Sequence, residues 1–257
     1  NLFNGALTTM SFKNKVVIVT GASSGIGAAT AVSFSSEGAR VVLVGRNEDK
    51  LAAVAKKCKN PLVVRADVSK DEDVKKIIDQ TIEKFGQLDV LVNNAGTALG
   101  ISSLIESVDM KVYDSIMGTN LRGAIYLTSL AAPYLIKTKG NVINISSVAG
   151  KLPPLNPSFI FYCISKAGMD HFTRCAAVEL GPHGVRVNAI SPGPVVTDFL
   201  ENCKIDLEWD KLSDLTILNR VSNSEEIADL AIFLASDKAK SITGADYLAD
   251  NGMTLKH

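Results

Sequence analysis

Six short runs of β-branched and aliphatic residues recur along the chain: KVVIVT (15–20), RVVLVG (40–45), PLVVRADV (61–68), LDVLVNNAG (88–96), NVINIS (141–146) and GVRVNAISPG (184–193). They are continuously apolar rather than alternating, a pattern that suits strands covered on both faces, as in a parallel sheet between two helix layers. Segments with helical character lie between them, near 25–37, 47–58, 70–85, 109–137, 157–180 and 224–235. This alternation predicts a doubly wound α/β fold with right-handed crossovers. Ser69 with Glu72, and Ser222 with Glu225, fit capping boxes, and the glycines of SEGAR (36–40) and KFGQLD (84–89) end helices just before strands. No linker or repeat divides the 257 residues, so they read as one domain. Within it, 194–220 is a candidate substrate lid, while 1–10 reads as a disordered tail and Met10 as a candidate native start.

Composition removes several functional classes. Twenty-seven basic residues balance twenty-seven acidic ones, leaving no excess positive field for nucleic acid or an anionic membrane surface. The apolar runs are strand-sized, far short of the roughly 18 residues of a membrane span. Cys58, Cys163, Cys175 and Cys203 form no CxxC pair, and the three histidines make no HExxH or Cys/His cluster, so no metal site is expected. A reducing cytoplasm is the simplest compartment for such cysteines.

Between the first run and the first helix stands VTGASSGIG, with Gly21, Gly25 and Gly27. Glycines there let backbone amides turn sharply toward a pyrophosphate whose charge the helix N-terminus favours. The G-x-x-x-G-x-G spacing departs from the commonest dinucleotide fingerprint, but the same physics applies. At the end of the second run, Gly45-Arg46 occupies the place where an acid would bind the ribose 2′-hydroxyl of NAD. A guanidinium suits a 2′-phosphate instead, which favours NADP(H) over NAD(H); the alternative is a solvated surface arginine. Asp67, after the third run, either accepts a hydrogen bond from an adenine amino group or caps the turn leading to Ser69.

Tyr162 and Lys166 in YCISK are four residues apart, so on a helix they share a face. A nearby ammonium favours the phenolate and lowers a tyrosine pKa from its usual value near 10, allowing proton exchange with a substrate oxygen near neutral pH. Alone, the pair reads more readily as a tyrosine packed on a lysine stem. Its company decides: Ser146-Ser147 ends a run expected to be a parallel strand, and doubly wound sheets bind ligands outside the carboxyl ends of their strands.

Together these residues resemble the short-chain dehydrogenases/reductases. The resemblance runs from Lys15 to Gly252 through TGASSGIG, Asp67-Val68, Asn93-Asn94-Ala95-Gly96, Asn120 in GTNLRG, the serines of NISS, Tyr162 with Lys166, and SPGPVVT. It implies a Rossmann fold with a central parallel sheet of about seven strands and helices on both faces, and an NAD(P)(H)-dependent oxidoreductase. It further implies a tetrad of Asn120, Ser147, Tyr162 and Lys166. Tyr162 would be the acid in reduction and the base in oxidation, and Ser147 would steady the substrate oxygen. Lys166 would bind the nicotinamide ribose and lower the tyrosine pKa, and Asn120 would hold a water of a proton relay. Gly21, Ser23, Ser24, Gly25, Ile26, Gly27, Asp67 and Val68 would line the cofactor site. Asn93, Ala95 and Gly96 would pass beside it, Asn93 also stabilising the sheet and Asn94 being structural. Ile190, Pro192, Gly193 and Val195 would flank the nicotinamide, with Thr197 near its carboxamide. Two departures stand out: fifteen positions separate Ser147 from Tyr162, more than is usual in the family, and Asp250-Asn251-Gly252 stands where the family often has aspartate and two glycines.

Leu152, Pro153, Leu155, Phe159, Phe199, Leu200, Leu207, Trp209 and Leu212 are candidate pocket walls and point to a hydrophobic ketone or secondary alcohol, although ordinary lid packing would use the same residues. Steroid, retinoid, fatty-acyl and xenobiotic carbonyl compounds fit equally. Ile125, Leu127, Leu130, Phe172 and Val178 give two helices a second apolar side, which the resemblance assigns to a homotetramer. The competing reading is a catalytically silent NADP-binding redox sensor or scaffold. It needs the glycine turn but not Ser147, Tyr162 and Lys166 together.

Overall fold

All six apolar runs become parallel strands in the computed structural model, which describes residues 12–99, 104–105, 107–154, 156–202 and 209–256. The expected tail at 1–10 lies outside those residues. The strands are β1 (Val16–Thr20), β2 (Arg40–Gly45), β3 (Leu62–Arg65), β4 (Val90–Asn93), β5 (Asn141–Ile145) and β6 (Arg186–Pro192). A further strand, β7 (Asp246–Ala249), pairs with β6 and completes the order β3-β2-β1-β4-β5-β6-β7. The order reverses between β1 and β4, the switch point at which doubly wound sheets open a crevice.

Successive side chains of a strand point to opposite faces, and the core divides accordingly. Val17, Val19, Leu43, Val92 and Ile143 face α1 (Gly25–Ser36), α2 (Glu48–Ala55) and α9 (Ser224–Ala235), packing with Phe34, Leu51 and Ile227. Val16, Ile18, Val42, Leu91 and Val142 face α3 (Asp71–Phe85), α5 (Gly123–Thr138) and α6 (Ile160–Leu180), packing with Ile77, Leu127 and Ala176. Leu127 is therefore core, not part of a second apolar side, whereas Ile125 and Val178 are exposed. Among the described residues no helix is long and apolar enough to cross a membrane.

Local signals shift by small amounts. The segment expected as one helix over 109–137 is α4 (Met110–Met117) and α5 joined by a π-helical turn, Gly118–Arg122. Neither expected capping box forms. The cap position of α3 is Lys70, because the Ser69 hydroxyl is already given to Asp67 Oδ1 at 2.8 Å. At α9 the box moves by one residue, with the Asn223 N–H donating to Glu226 Oε2 at 2.8 Å. Gly86 does end α3 in the left-handed conformation. Two short helices, α7 (Phe199–Asn202) and α8 (Trp209–Ser213), lie in the segment after β6.

A polar bridge crosses the buried middle of the sheet. Asn93 Nδ2 donates to Asn144 Oδ1 at 2.9 Å and to Thr128 Oγ1 at 3.0 Å, and Asn144 Nδ2 donates to Thr173 Oγ1 at 2.9 Å. It ties β4 and β5 to α5 and α6, the four elements that carry the tyrosine side of the crevice. Replacing Asn144 with leucine would leave the Asn93 donor without this acceptor in a dry interior. We expect Asn144→Leu to lower stability by about 2–4 kcal/mol in urea denaturation.

Candidate active site

A cleft of about 760 Å³ runs along the carboxyl ends of the strands. Its floor is the sequence of turns leaving them: Gly21–Gly25 after β1, Gly45–Arg46 after β2, Ala66–Val68 after β3, Asn94–Thr97 after β4, Ser146–Val148 after β5 and Pro192–Val195 after β6. Gly21 and Gly25 have φ of +66° and +53°, and a Cβ on Gly27 would sit 2.3 Å from the Gly21 carbonyl oxygen. Glycine is thus required for the turn to close against the start of α1. Gly27 holds the turn from behind and does not itself line the cleft, whereas Ser23, Ser24 and Ile26 do. The turn is braced by Asn94, whose Nδ2 donates to the carbonyls of Thr20 at 2.9 Å and Gly21 at 3.3 Å.

The structure keeps the sheet role expected of Asn93 and the structural role expected of Asn94, but it is Asn94 that meets the cleft. Asn93 is buried in the sheet bridge and does not reach the cleft, while Asn94 lines it. β4 ends at Asn93, so the side chain after it is the first to turn outward.

At the far end, Arg46 is mostly exposed, with Nη1 3.9 Å from Asp67 Oδ2. Asp67 also accepts from the Ser69 amide at 3.1 Å and hydroxyl at 2.8 Å. Burial works to raise its carboxyl pKa, but the Ser69 hydrogen bonds and the Arg46 charge outweigh that and hold it below the usual value. Asp67 therefore caps its turn and lines the cleft at once. Lys50, which the sequence reading passed over, also lines the cleft and pairs with Asp198 at 2.6 Å, joining the first turn of α2 to the residue before α7.

The other end holds the tyrosine. Tyr162 and Lys166 lie on one face of α6, with Lys166 Nζ 5.7 Å from the centroid of the Tyr162 ring. The ammonium is buried and donates to the Ile145 carbonyl at 2.8 Å. Burial pulls its pKa down from 10.5 to about 8, with the Asp170 carboxylate opposing the shift. Ser147 lines the cleft and its Oγ accepts from the Ala149 amide at 3.1 Å. Ser146, by contrast, gives its hydroxyl to Asp170 Oδ1 at 2.5 Å. Both serines line the cleft, with the Ser146 hydroxyl directed to Asp170.

Asn120 is buried in the π-helical turn and does not line the cleft. Its Oδ1 accepts from the Thr97 amide at 2.8 Å, and its Nδ2 donates to the Thr97 carbonyl at 2.8 Å and to Ser165 Oγ at 3.0 Å. A Cβ on Gly96 would come within 3.6 Å of Lys166 Nζ and 3.7 Å of Asn120 Oδ1, which places both beside that glycine. Ala95, Gly96, Pro192, Gly193, Val195 and Thr197 all line the cleft, while Ile190 is buried in the core behind it. Of the expected pocket walls, Phe199, Leu200, Trp209 and Leu212 line it, and the Phe199 ring lies 5.7 Å from that of Tyr162. Leu152, Pro153 and Phe159 do not. Leu155 and Leu207 lie outside the described residues. Leu99 and Met253 join the apolar lining without any sequence signal that would have found them. Among the described residues no cluster of side chains could hold a metal ion.

The chain is similar to known proteins along nearly its whole length. The family model described as Enoyl-(Acyl carrier protein) reductase matches residues 21–254. The chain is 38% identical over 248 residues to meso-2,3-butanediol dehydrogenase of Serratia marcescens, covering 95% of this chain and 96% of that one. It is 38% identical over 253 residues to glucose 1-dehydrogenase of Gluconobacter oxydans, covering 95% and 93%. A Caenorhabditis elegans short-chain dehydrogenase/reductase of unknown function, solved with cofactor, aligns with a TM-score of 0.88 at 32% identity, covering 96% of this chain and 97% of that one.

The buried ammonium has a measurable signature. Folding lowers the Lys166 pKa from 10.5 to about 8, so between those values the unfolded chain binds more protons and stability rises with pH. Below pH 8 both states are charged and the full burial cost is present. Lys166→Met abolishes this dependence. Its stability relative to the parent protein should fall by about 2 kcal/mol between pH 7 and pH 9.5 in urea titrations, as the parent sheds its buried charge.

Proposed function

The chain belongs to the short-chain dehydrogenase/reductase family, and from that membership we propose that it moves a hydride between NADP(H) and a hydrophobic ketone or its secondary alcohol. The coarser statement is direct: it is an NAD(P)-dependent oxidoreductase of alcohol, carbonyl or ketoacyl substrates. The observation that carries the finer reading is one continuous cleft joining the glycine turn after β1 to Ser147, Tyr162 and a buried Lys166.

The residues fit a dinucleotide. Gly21 and Gly25 add no side chains to the turn, and Gly96 leaves room beside Lys166 that a Cβ would fill. Ser23, Ser24 and Ile26 would hold the pyrophosphate at the N-terminus of α1. Asp67 and Val68 would border the adenine, and Ala95, Gly96, Pro192, Gly193, Val195 and Thr197 the nicotinamide end. Bound there, the nicotinamide supplies or accepts the hydride. Tyr162 gives its phenolic proton to the carbonyl oxygen in reduction and takes it back in oxidation. Ser147 donates to the same oxygen and holds it in line. Lys166 would stabilise charge on the tyrosine oxygen and would hold the ribose hydroxyls of a bound cofactor. Asn120, engaged on both sides by Thr97, keeps the β4 turn and Gly96 in place.

NADP(H) is favoured over NAD(H) by the guanidinium of Arg46 at the end of β2, where no acid stands to accept a ribose hydroxyl. Phe199, Leu200, Trp209 and Leu212 favour an apolar substrate, such as a steroid, retinoid or xenobiotic carbonyl, and make the 194–220 segment of this single domain its lid. Exposed Ile125, Ile164 and Val178 on α5 and α6 support a homotetramer, and the unpaired thiols of Cys58, Cys163 and Cys175 support a cytoplasmic setting.

NADPH oxidation followed by absorbance across a panel of apolar ketones tests the reading. Tyr162→Phe should lower turnover by about a hundredfold or more while NADPH still binds. Binding without turnover of any compound by the parent protein would instead mark a sensor or scaffold. Arg46→Asp should shift the ratio of NADPH to NADH efficiency by about tenfold toward NADH, the worth of a charge-assisted hydrogen bond. An unchanged ratio means that Arg46 does not read the phosphate.

A further inference from the structure

Behind the catalytic serine lies a second cluster of charges that the chemistry above does not use. Lys151, three residues after the serine turn begins, is held by Asp170 Oδ2 at 2.7 Å, by Ser191 Oγ at 3.0 Å and by the Asp246 carboxylate. These acceptors match its three ammonium protons. Ser191 in turn donates to Asp246 Oδ1 at 2.7 Å, and Ser146 donates to Asp170 Oδ1 at 2.5 Å. Burial works against the Lys151 charge, yet the Asp170 and Asp246 carboxylates overcome it and raise the pKa. One ammonium thereby joins the chain after β5 to α6, β6 and β7.

The cluster touches the catalytic groups at two points. Ser146 directly precedes Ser147, so fixing its hydroxyl on Asp170 fixes the main chain that carries the catalytic one. Asp170 is one helical turn beyond Lys166 and acts on it electrostatically. The two ammonium groups, Lys151 and Lys166, balance the two carboxylates, Asp170 and Asp246. The packing between them is tight: a Cβ on Gly150 would lie 2.6 Å from Asp170 Oδ2 and 2.9 Å from the Lys166 carbonyl carbon. Removing Lys151 strips two poorly hydrated carboxylates of their shared cation and leaves Asp170 acting on Lys166, whose charge is needed at the tyrosine.

We propose that Lys151 is a positioning residue: by neutralising Asp170 and Asp246 together it pins the Ser146–Ser147 turn to α6 and leaves Lys166 free to serve Tyr162. This rests on the oxidoreductase reading of the same site. It also accounts for how the widened interval between Ser147 and Tyr162 is anchored at its serine end.

The test compares Lys151→Met, Lys151→Arg, Asp170→Asn and the double variant Lys151→Met/Asp170→Asn, using whichever ketone of the panel the parent protein reduces. Folding is checked by circular dichroism and urea denaturation, and cofactor binding by NADPH fluorescence. We expect Lys151→Met to lower kcat by about tenfold to a hundredfold, the range of a small misplacement of reacting groups. KM and Kd for NADPH should stay within about twofold, because the contacts along the cofactor cleft are intact. Lys151→Arg should retain most of kcat. The double variant should be more stable and faster than Lys151→Met alone, because it no longer buries an uncompensated carboxylate. Unchanged kcat in Lys151→Met overturns the inference and leaves the enzyme reading standing, as does an equal loss in the arginine variant. Should Lys151→Met fail to fold, the double variant decides: folding with restored turnover supports the coupling, and continued failure to fold overturns it. A parent protein that reduces nothing on the panel overturns both.

Discussion

An ammonium ion stripped of water must find acceptors and a reason to keep its proton, and around Lys166 this requirement organises one end of the molecule. Its proton goes to the last carbonyl of β5, which fixes how α6 lies against the sheet. Gly96 lies beside it, and the turn bearing that glycine is held by Asn120. Its charge is favoured by Asp170, a carboxylate that it shares with a second lysine reaching in from the serine turn. Tyr162 is positioned because it shares a helix face with this cation.

The same parallel sheet explains why two unrelated chemistries meet. Every strand ends at one edge, so the turn that could cradle a pyrophosphate after β1 and the turn that carries Ser147 after β5 open into one cleft. The buried bridge of Asn93, Asn144, Thr128 and Thr173 keeps β4 and β5 in register with the helices behind them. An apolar replacement of that bridge would gain dispersion contacts but lose the directional constraint that sets where α6 presents its tyrosine.

Much of this was legible in the chain. Runs buried on both faces must be apolar throughout, so six strands could be located to within a few residues. β7 escaped because an edge strand beginning with Asp246 is only half covered and need not look apolar. Motif spacing and family resemblance brought out the glycine turn, Ser147, Tyr162 and Lys166. The direction of individual side chains was harder to read, because it depends on the residue at which a strand stops. That is why Asn94, not Asn93, meets the cleft. It is also why Leu152 and Phe159 were misplaced: nothing local tells how the chain leaves Ser147 before it enters α6. Lys50, Lys151 and Asp198 gave no signal, since each looks like an ordinary surface charge until its distant partner is known.

The π-helical turn at Gly118–Arg122 has one further consequence. Such a turn accommodates an additional residue without breaking the helix, and an α-helix advances about 100° per residue. Deleting one residue there would let α4 and α5 merge into a regular rod, but everything on the α4 side would swing by that angle relative to the sheet. The bracket between Asn120 and Thr97 would open while the core under α5 stayed closed. The irregularity is thus a phase adjustment, letting one continuous helix serve two surfaces whose spacing a straight one could not match.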